Sequence, residues 1–123
     1  MAATSKTAAK VLSIEDILTV EDRTVVAVEV PEWGGSVKIR PFTKRQQIDI
    51  RNTGRKPDGD IDVDAFEMQV FLAGVVEPVF TPEQYNLLME KSAIALDRVI
   101  KQVLKVNDMA PESEKEAAAS FQD

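Results

Sequence analysis

Hydrophobic positions change period along this chain, and each change marks an element. Val26, Val28 and Val30 alternate with Ala27 and Glu29, the period of two that turns one face of a strand to a core. Pro31 ends that ladder because it has no N–H to donate. Gly34-Gly35 supplies the positive-φ positions of a tight reversal, and the chain returns through Val37 and Ile39 as the second strand of a hairpin. The only tryptophan, Trp33, sits on this turn, where an indole either caps the hairpin's core or protrudes as a contact anchor.

Elsewhere the spacing is helical. Ser13, with Asp16 following, predicts the N-cap of a short helix carrying Ile14, Ile17 and Leu18. A second helix is expected from about Thr43, with few apolar positions, mainly Ile48 and Ile50, and a stop at Asn52-Thr53-Gly54. After the polar loop from Arg55 to Asp60 comes the most apolar helix, with Asp62 or Asp64 as N-cap. In it Ala65, Met68, Phe71, Leu72 and Val75 recur at helical spacing, Phe66 and Val70 widen the stripe, and Glu77-Pro78 closes it. A helix so apolar needs cover all round, from its own neighbours or from a second subunit. Thr81-Pro82-Glu83-Gln84 opens a short helix with Tyr85, Leu88 and Met89, and Ser92 caps a long last helix. Leu96, Ile100, Val103 and Leu104 form one face of that helix; Arg98, Lys101, Gln102 and Lys105 take the other. The expected fold is α+β, an N-terminal β-hairpin or small antiparallel sheet packed with a mainly helical C-terminal part. Residues 1–10 read as a flexible arm, 11–108 as one domain, and 109–123 as an acidic flexible tail with a weak helix from Glu114 to Ala119.

At 123 residues the chain has the length of one domain, enough to bury about two thirds of its unfolded surface. It contains no cysteine, which removes disulfides, thiol catalysis and thiolate metal sites. It contains no histidine, which removes the usual general base near neutrality and the ordinary zinc ligand. An enzyme would have to work through carboxylates or lysine, yet Glu15-Asp16 and Glu21-Asp22 sit at helix ends and turns, where capping accounts for them. Asp58, Asp60 and Asp62 fall on the first ligand positions of a calcium loop, but Val63 replaces its glycine and Gln69 its bidentate glutamate. No apolar run reaches the length of a membrane span. The expectation is a soluble cytosolic protein without enzymatic activity, cofactor, metal or membrane partner.

Net charge is -6, but Lys38, Arg40, Lys44, Arg45, Arg51, Arg55 and Lys56 gather in one segment. Nucleic-acid surfaces add aromatic platforms or a basic recognition helix, whereas this segment offers only Phe42 and is interrupted by Asp49. A solvated face or an acidic protein partner is favoured over a nucleic-acid or regulatory module, and the acidic tail could itself shield the patch.

A family resemblance is carried by Val28-Glu29-Val30-Pro31-Glu32-Trp33-Gly34-Gly35-Ser36-Val37-Lys38-Ile39-Arg40 and by Lys91-Ser92-Ala93-Ile94-Ala95-Leu96-Asp97-Arg98-Val99-Ile100. The first resembles the V-x-E-W-G-G-x-V-x-(I/V)-R hairpin, and the second the K-S-x-x-A-L-D-R helix start, of the tail assembly chaperones of long-tailed (siphovirus-type) bacteriophages and prophages. The pattern departs at Pro41-Phe42-Thr43-Lys44-Arg45-Gln46, where the family carries a more acidic helix opening. The resemblance implies a non-catalytic protein of the bacterial host cytoplasm, absent from the mature virion. It would keep the tape measure protein soluble and recruit tail tube subunits, with a frameshifted longer product for which Asp123 would end the short form. Candidate residues for partner binding or self-association as a homo-oligomer are Trp33, Arg40, Phe42, Phe71, Leu72 and Val75.

Overall fold

Valine alternation builds the sheet. In the computed structural model, which describes residues 10–109, strands β1 (Val26–Val30) and β2 (Gly35–Ile39) pair antiparallel, with Val28 opposite Val37 and Val26 opposite Ile39. Val28, Val30, Val37 and Ile39 are buried, while Ala27, Glu29, Ser36 and Lys38 face outward. The reversal runs through one 3-10 turn, Pro31–Trp33, closed by Gly34 N–H donating to the Pro31 carbonyl at 3.0 Å. Of the two turn glycines, Gly34, at φ 78°, is the one that uses glycine's left-handed freedom. Gly35 already belongs to β2, opposite Val30, because the 3-10 turn completes the reversal that both glycines were expected to share.

Each anticipated helix start is present. Helices α1 (Ile14–Thr19), α2 (Lys44–Thr53) and α4 (Pro82–Leu88) open on reciprocal capping boxes, Ser13 with Asp16, Thr43 with Gln46 and Thr81 with Gln84. Asp62 rather than Asp64 caps α3 (Val63–Gly74), accepting from Ala65 N–H at 3.1 Å, and Ser92 caps α5 (Ala93–Val106). Such caps contribute about 1 kcal/mol each.

One element went unanticipated. The apolar stripe of α3 stops at Gly74, and Val75–Glu77 forms a third strand, β3, giving sheet order β1-β2-β3. Val75 is therefore a strand residue opposite Ile39, not the last position of the helix. The β-branched pair Val75-Val76 suits a pleated surface, and Pro78, which has no N–H, stops it. A register shift between Lys38 and Ile39 and a hydrogen bond from Arg40 N–H to the Gly74 carbonyl, 2.9 Å, seat this strand on β2.

The core lies between the sheet, α3 and α5. Ala95, Leu96, Val99, Ile100, Val103 and Leu104 of α5 are buried, and the helix packs on β1 and α3. Val70 and Phe71 of α3 are fully enclosed; the Phe71 ring lies 5.1 Å from Phe80, edge-on, and 5.3 Å from Tyr85. Among the described residues the core contains no buried polar or charged residue, so it is held by apolar burial, about 1.5–3 kcal/mol for each enclosed large side chain. By contrast α1 buries nothing: Ile14, Ile17 and Leu18 are 77%, 53% and 77% exposed. The arm expected over 1–10 and the tail over 109–123, with its helix from Glu114 to Ala119, lie outside the described residues except for Lys10 and Met109.

Two glycines permit close approach of helices. A Cβ at Gly54 would meet Phe66 Cβ at 2.9 Å, and one at Gly74 would meet Val103 Cγ1 at 2.4 Å. Gly74→Ala should therefore lower stability by about 1–3 kcal/mol through overpacking. In a double-mutant cycle by denaturant unfolding, Val103→Ala should offset part of that loss, because the new methyl fills space that Val103 vacates. Additive losses would show that the contact is not what limits this position.

Candidate functional site

The turn that reverses the hairpin also delivers Trp33 to a surface cleft. Trp33 is half-buried and packs on the core, and with Phe80 and Leu88 it lines a cleft of about 440 Å³ rimmed by Glu32, Lys91 and Ser92. Phe80 joins cleft to core, since its ring abuts the enclosed Phe71. The position is fixed by an ion pair across the fold: Nη1 and Nη2 of Arg98 on α5 both donate to the Glu32 carboxylate, Nη2 at 3.0 Å and Nη1 closer. That pairing holds Glu32 below and Arg98 above their ordinary pKa values. Arg98 itself lines a second cleft, together with Ile94, Asp97, Lys101 and Gln102. Close by in sequence, Leu87, Met89 and Ile94 are exposed.

The six sequence candidates do not form one surface. Phe71 and Val75, 0% and 3% exposed, are core residues that no partner of the folded chain can touch. Phe42 is also buried, and its N–H donates to Asn107 Oδ1 at 2.7 Å, tying the start of α2 to the end of α5. The stripe on α3 misled because a helix apolar on nearly every side does not reveal which residues its neighbours cover. Leu72 is half-buried and does not line the Trp33 cleft. Arg40 is occupied within the molecule: Nε donates to the Arg23 carbonyl at 3.0 Å and Nη2 to Glu21 at 2.9 Å. Trp33 alone of the six reaches the cleft. Phe80, Lys91 and the Arg98–Glu32 pair were missed, since residues 66 apart leave no local periodicity to read.

The basic segment is partly consumed in the same way. Lys38 approaches Glu77 at 3.8 Å; just outside the segment, Arg23 donates to the Pro41 carbonyl at 2.9 Å and to Gln46. Glu21 receives both the Arg23 N–H, at 2.9 Å, and Arg40, which lower its pKa. The carboxylates of the aspartate-rich loop serve local turns, Asp58 accepting from Asp60 N–H at 3.0 Å and Asp62 capping α3. Among the described residues no three acidic side chains converge to hold a cation, and no helix is long and apolar enough to cross a membrane.

Fold and surface together define a small α+β protein with an apolar cleft beside a cross-fold ion pair. No protein-family model, curated protein or solved structure matches this chain.

Trp33→Ala should cost about 2 kcal/mol, roughly half the loss for a fully buried indole, read as a lowered denaturation midpoint. An unchanged midpoint would mean that the indole does not cap the core. A pH effect follows from Glu67, whose pKa is raised by partial burial and then by Asp97 and Asp64. A carboxyl with a raised folded pKa keeps its proton longer in the native state, so its charge opposes folding increasingly as pH rises above 4.5. Glu67→Gln should raise the melting temperature at pH 7, and the gain should fade as pH falls through 4.5. Glu21 and Glu32, with lowered pKa values, contribute stability with the opposite sense, present above that range and lost on acidification.

Proposed function

We propose that this protein is a non-catalytic tail assembly chaperone of a long-tailed bacteriophage or prophage, acting in the host cytoplasm to hold the tape measure protein soluble and to recruit tail tube subunits. The observation that carries the reading is the meeting of the two segments on which the family resemblance rests. Glu32, in the Glu32-Trp33-Gly34-Gly35 turn, and Arg98, in the Ala95-Leu96-Asp97-Arg98 helix start, form one bidentate pair beside the cleft of Trp33, Phe80 and Leu88.

Such a cleft accepts apolar side chains from one face of a helix, with Lys91 and Glu32 at its rim to orient charged neighbours. Holding a long, aggregation-prone helix soluble calls for many modest contacts of this kind, supplied by many identical small domains. It does not call for a nucleophile or a general base.

Coexpression with the tape measure protein of a long-tailed phage should raise that protein's soluble fraction, and the two should co-sediment. Trp33→Asp, or Phe80→Ala combined with Leu88→Ala, should abolish co-sedimentation while the circular dichroism spectrum stays folded. The form ending at Asp108 should retain the holding activity, because every residue lining the Trp33 cleft precedes Asp108. If neither length raises solubility, the chaperone reading fails and a regulatory module acting through Lys38 to Lys56 takes its place.

A further inference from the structure

Helix α1 takes no part in the core. Every residue from Val11 to Asp22 is exposed, and Val11, Leu12, Ile14, Ile17, Leu18 and Val20 present apolar side chains there, from 53% to 92% open to solvent. Ile14, Ile17 and Leu18 share one face of the helix, since residues three and four apart are neighbours, and Glu15 flanks that face three residues before Leu18. A helix of six residues is marginal in water on its own, yet this one carries a complete capping box, Asp16 N–H donating to Ser13 Oγ at 3.0 Å and Ser13 N–H to the Asp16 carboxylate at 3.1 Å. Nothing among the described residues covers its apolar face.

A surface of matching chemistry lies elsewhere on the same chain. Between the end of α2, the start of α3 and the end of α5 runs a groove of about 380 Å³, with Ile61, Phe66, Leu104 and Met109 along it beside Arg51 and Arg55. Its walls are fixed by backbone bonds. Arg55 and Ile61 form an antiparallel bridge, Asp62 N–H donates to the Gly54 carbonyl and Lys56 N–H to the Asp60 carbonyl, both at 2.7 Å, and at the end of α5 Met109 N–H returns to the Leu104 carbonyl at 2.7 Å. Ile61 is nonetheless 65% exposed, so the groove is formed and open. Two arginines against one acid, Asp108, make its lining basic, and among the described residues neither Arg51 nor Arg55 forms an ion pair.

The segment after α1 decides between docking within a chain and docking between chains. Only Val20 separates Thr19 from Glu21, which Arg40 holds at 2.9 Å, and Arg23 is bound to the Pro41 carbonyl at 2.9 Å. These ties leave little slack for α1 to swing onto its own chain, and they present its apolar face outward instead. The apolar stripe with a flanking acid on one molecule and the apolar groove with flanking arginines on another are complementary in both respects.

We propose that α1 of one molecule docks in this groove on a second copy, with Ile14, Ile17 and Leu18 against Ile61, Phe66 and Leu104, and Glu15 toward Arg51 and Arg55. One six-residue helix buries less than the roughly 1,200 Å² at which specific complexes become stable, so the association is weak and rises with concentration. It is independent of the function proposed above and of what binds at the Trp33 cleft.

Because the chain has no cysteine, Lys10→Cys places a single nitroxide just before α1 in the full-length protein. Nitroxide-bearing chains without isotope are mixed with isotope-labelled chains without nitroxide, so any paramagnetic broadening is intermolecular. The amide signals of Gly54, Arg55 and Ile61 should lose intensity, more so at higher concentration, while those of Glu29 and Ser36 on the outer sheet face and of Leu88 and Lys91 at the Trp33 cleft should keep theirs. Ile17→Asp in the nitroxide-bearing chain, or Arg51→Glu with Arg55→Glu in the isotope-labelled chain, should restore the intensity. Glu15→Arg in the nitroxide-bearing chain should then bring the broadening back against the doubly reversed groove. Spectra recorded with the isotope in either chain report that each variant is folded. Full intensity at Gly54, Arg55 and Ile61 in the wild-type mixture overturns the proposal, as does broadening that survives Ile17→Asp. Broadening at Leu88 and Lys91 in place of the groove overturns it too, since that outcome assigns α1 to the other cleft.

Discussion

Everything described above depends on one packing contact, the apolar face of α5 laid against the inner face of the sheet. A hairpin alone is marginal in water, and its third strand here is only Val75–Glu77. Val30, Ile39, Val99 and Val103, all 0% exposed, close the space between the two layers. Gly74 lets Val103 approach α3 closely enough to make the helices and the sheet share one core. The outer side of α5 then does a second task. With Val99 and Leu96 fixed inward, Arg98 emerges where its guanidinium meets Glu32, and the turn carrying Trp33 is clamped to the helix. The cleft is thus a consequence of the core rather than an addition to it.

What was legible in the sequence is what depends on neighbours a few residues away. Ser13, Thr43, Asp62, Thr81 and Ser92 cap their helices because side-chain acceptors reach N–H groups two or three residues on, and no tertiary contact is needed to specify that. The alternation of Val26, Val28 and Val30, answered by Val37 and Ile39, specified the hairpin on the same terms. The third strand was not legible. Three residues cannot establish a period, and Val75 continued the helical spacing of Phe71 and Leu72 in the sequence while leaving it in the structure. The burial of Phe71 and Val75 was hidden for a related reason: apolar character all round a helix records that cover exists, not which element supplies it. The solvent exposure of Ile14, Ile17 and Leu18 was hidden in turn, since an amphipathic stretch has the same pattern whether or not anything packs on it.

Charge is where local and tertiary readings diverge most. Seven cations between Lys38 and Lys56 suggest a free basic surface, yet Arg40 and Lys38 both face carboxylates distant in sequence, Glu21 and Glu77. Arg23, outside that cluster, ties the segment before β1 to the start of α2 through the Pro41 carbonyl. These exposed pairs contribute little to stability individually. Their effect is geometric: Lys38–Glu77 spans β2 and β3, while Arg40–Glu21 and Arg23–Pro41 tie down the segment that follows α1.

The apolar surfaces left outside the core therefore differ in kind, and under the proposed function the difference bears on how the protein would act. The Trp33 cleft is backed by Phe80 against the enclosed Phe71, so its walls are preorganised and a ligand side chain entering it need not order them. The face of α1 has no such backing, and every contact it makes must hold a helix of six residues in place, which is marginal without a partner. If the proposed function holds, a single domain combining one small cleft with one unsupported apolar helix would bind weakly. Many such domains along the proposed helical partner would gain affinity through linkage rather than through any one contact, and each could still be released when a competing subunit covered its share of the surface. Under the proposed function, weak individual contacts are a requirement, because a chaperone that bound tightly at each site would remain in the finished tail.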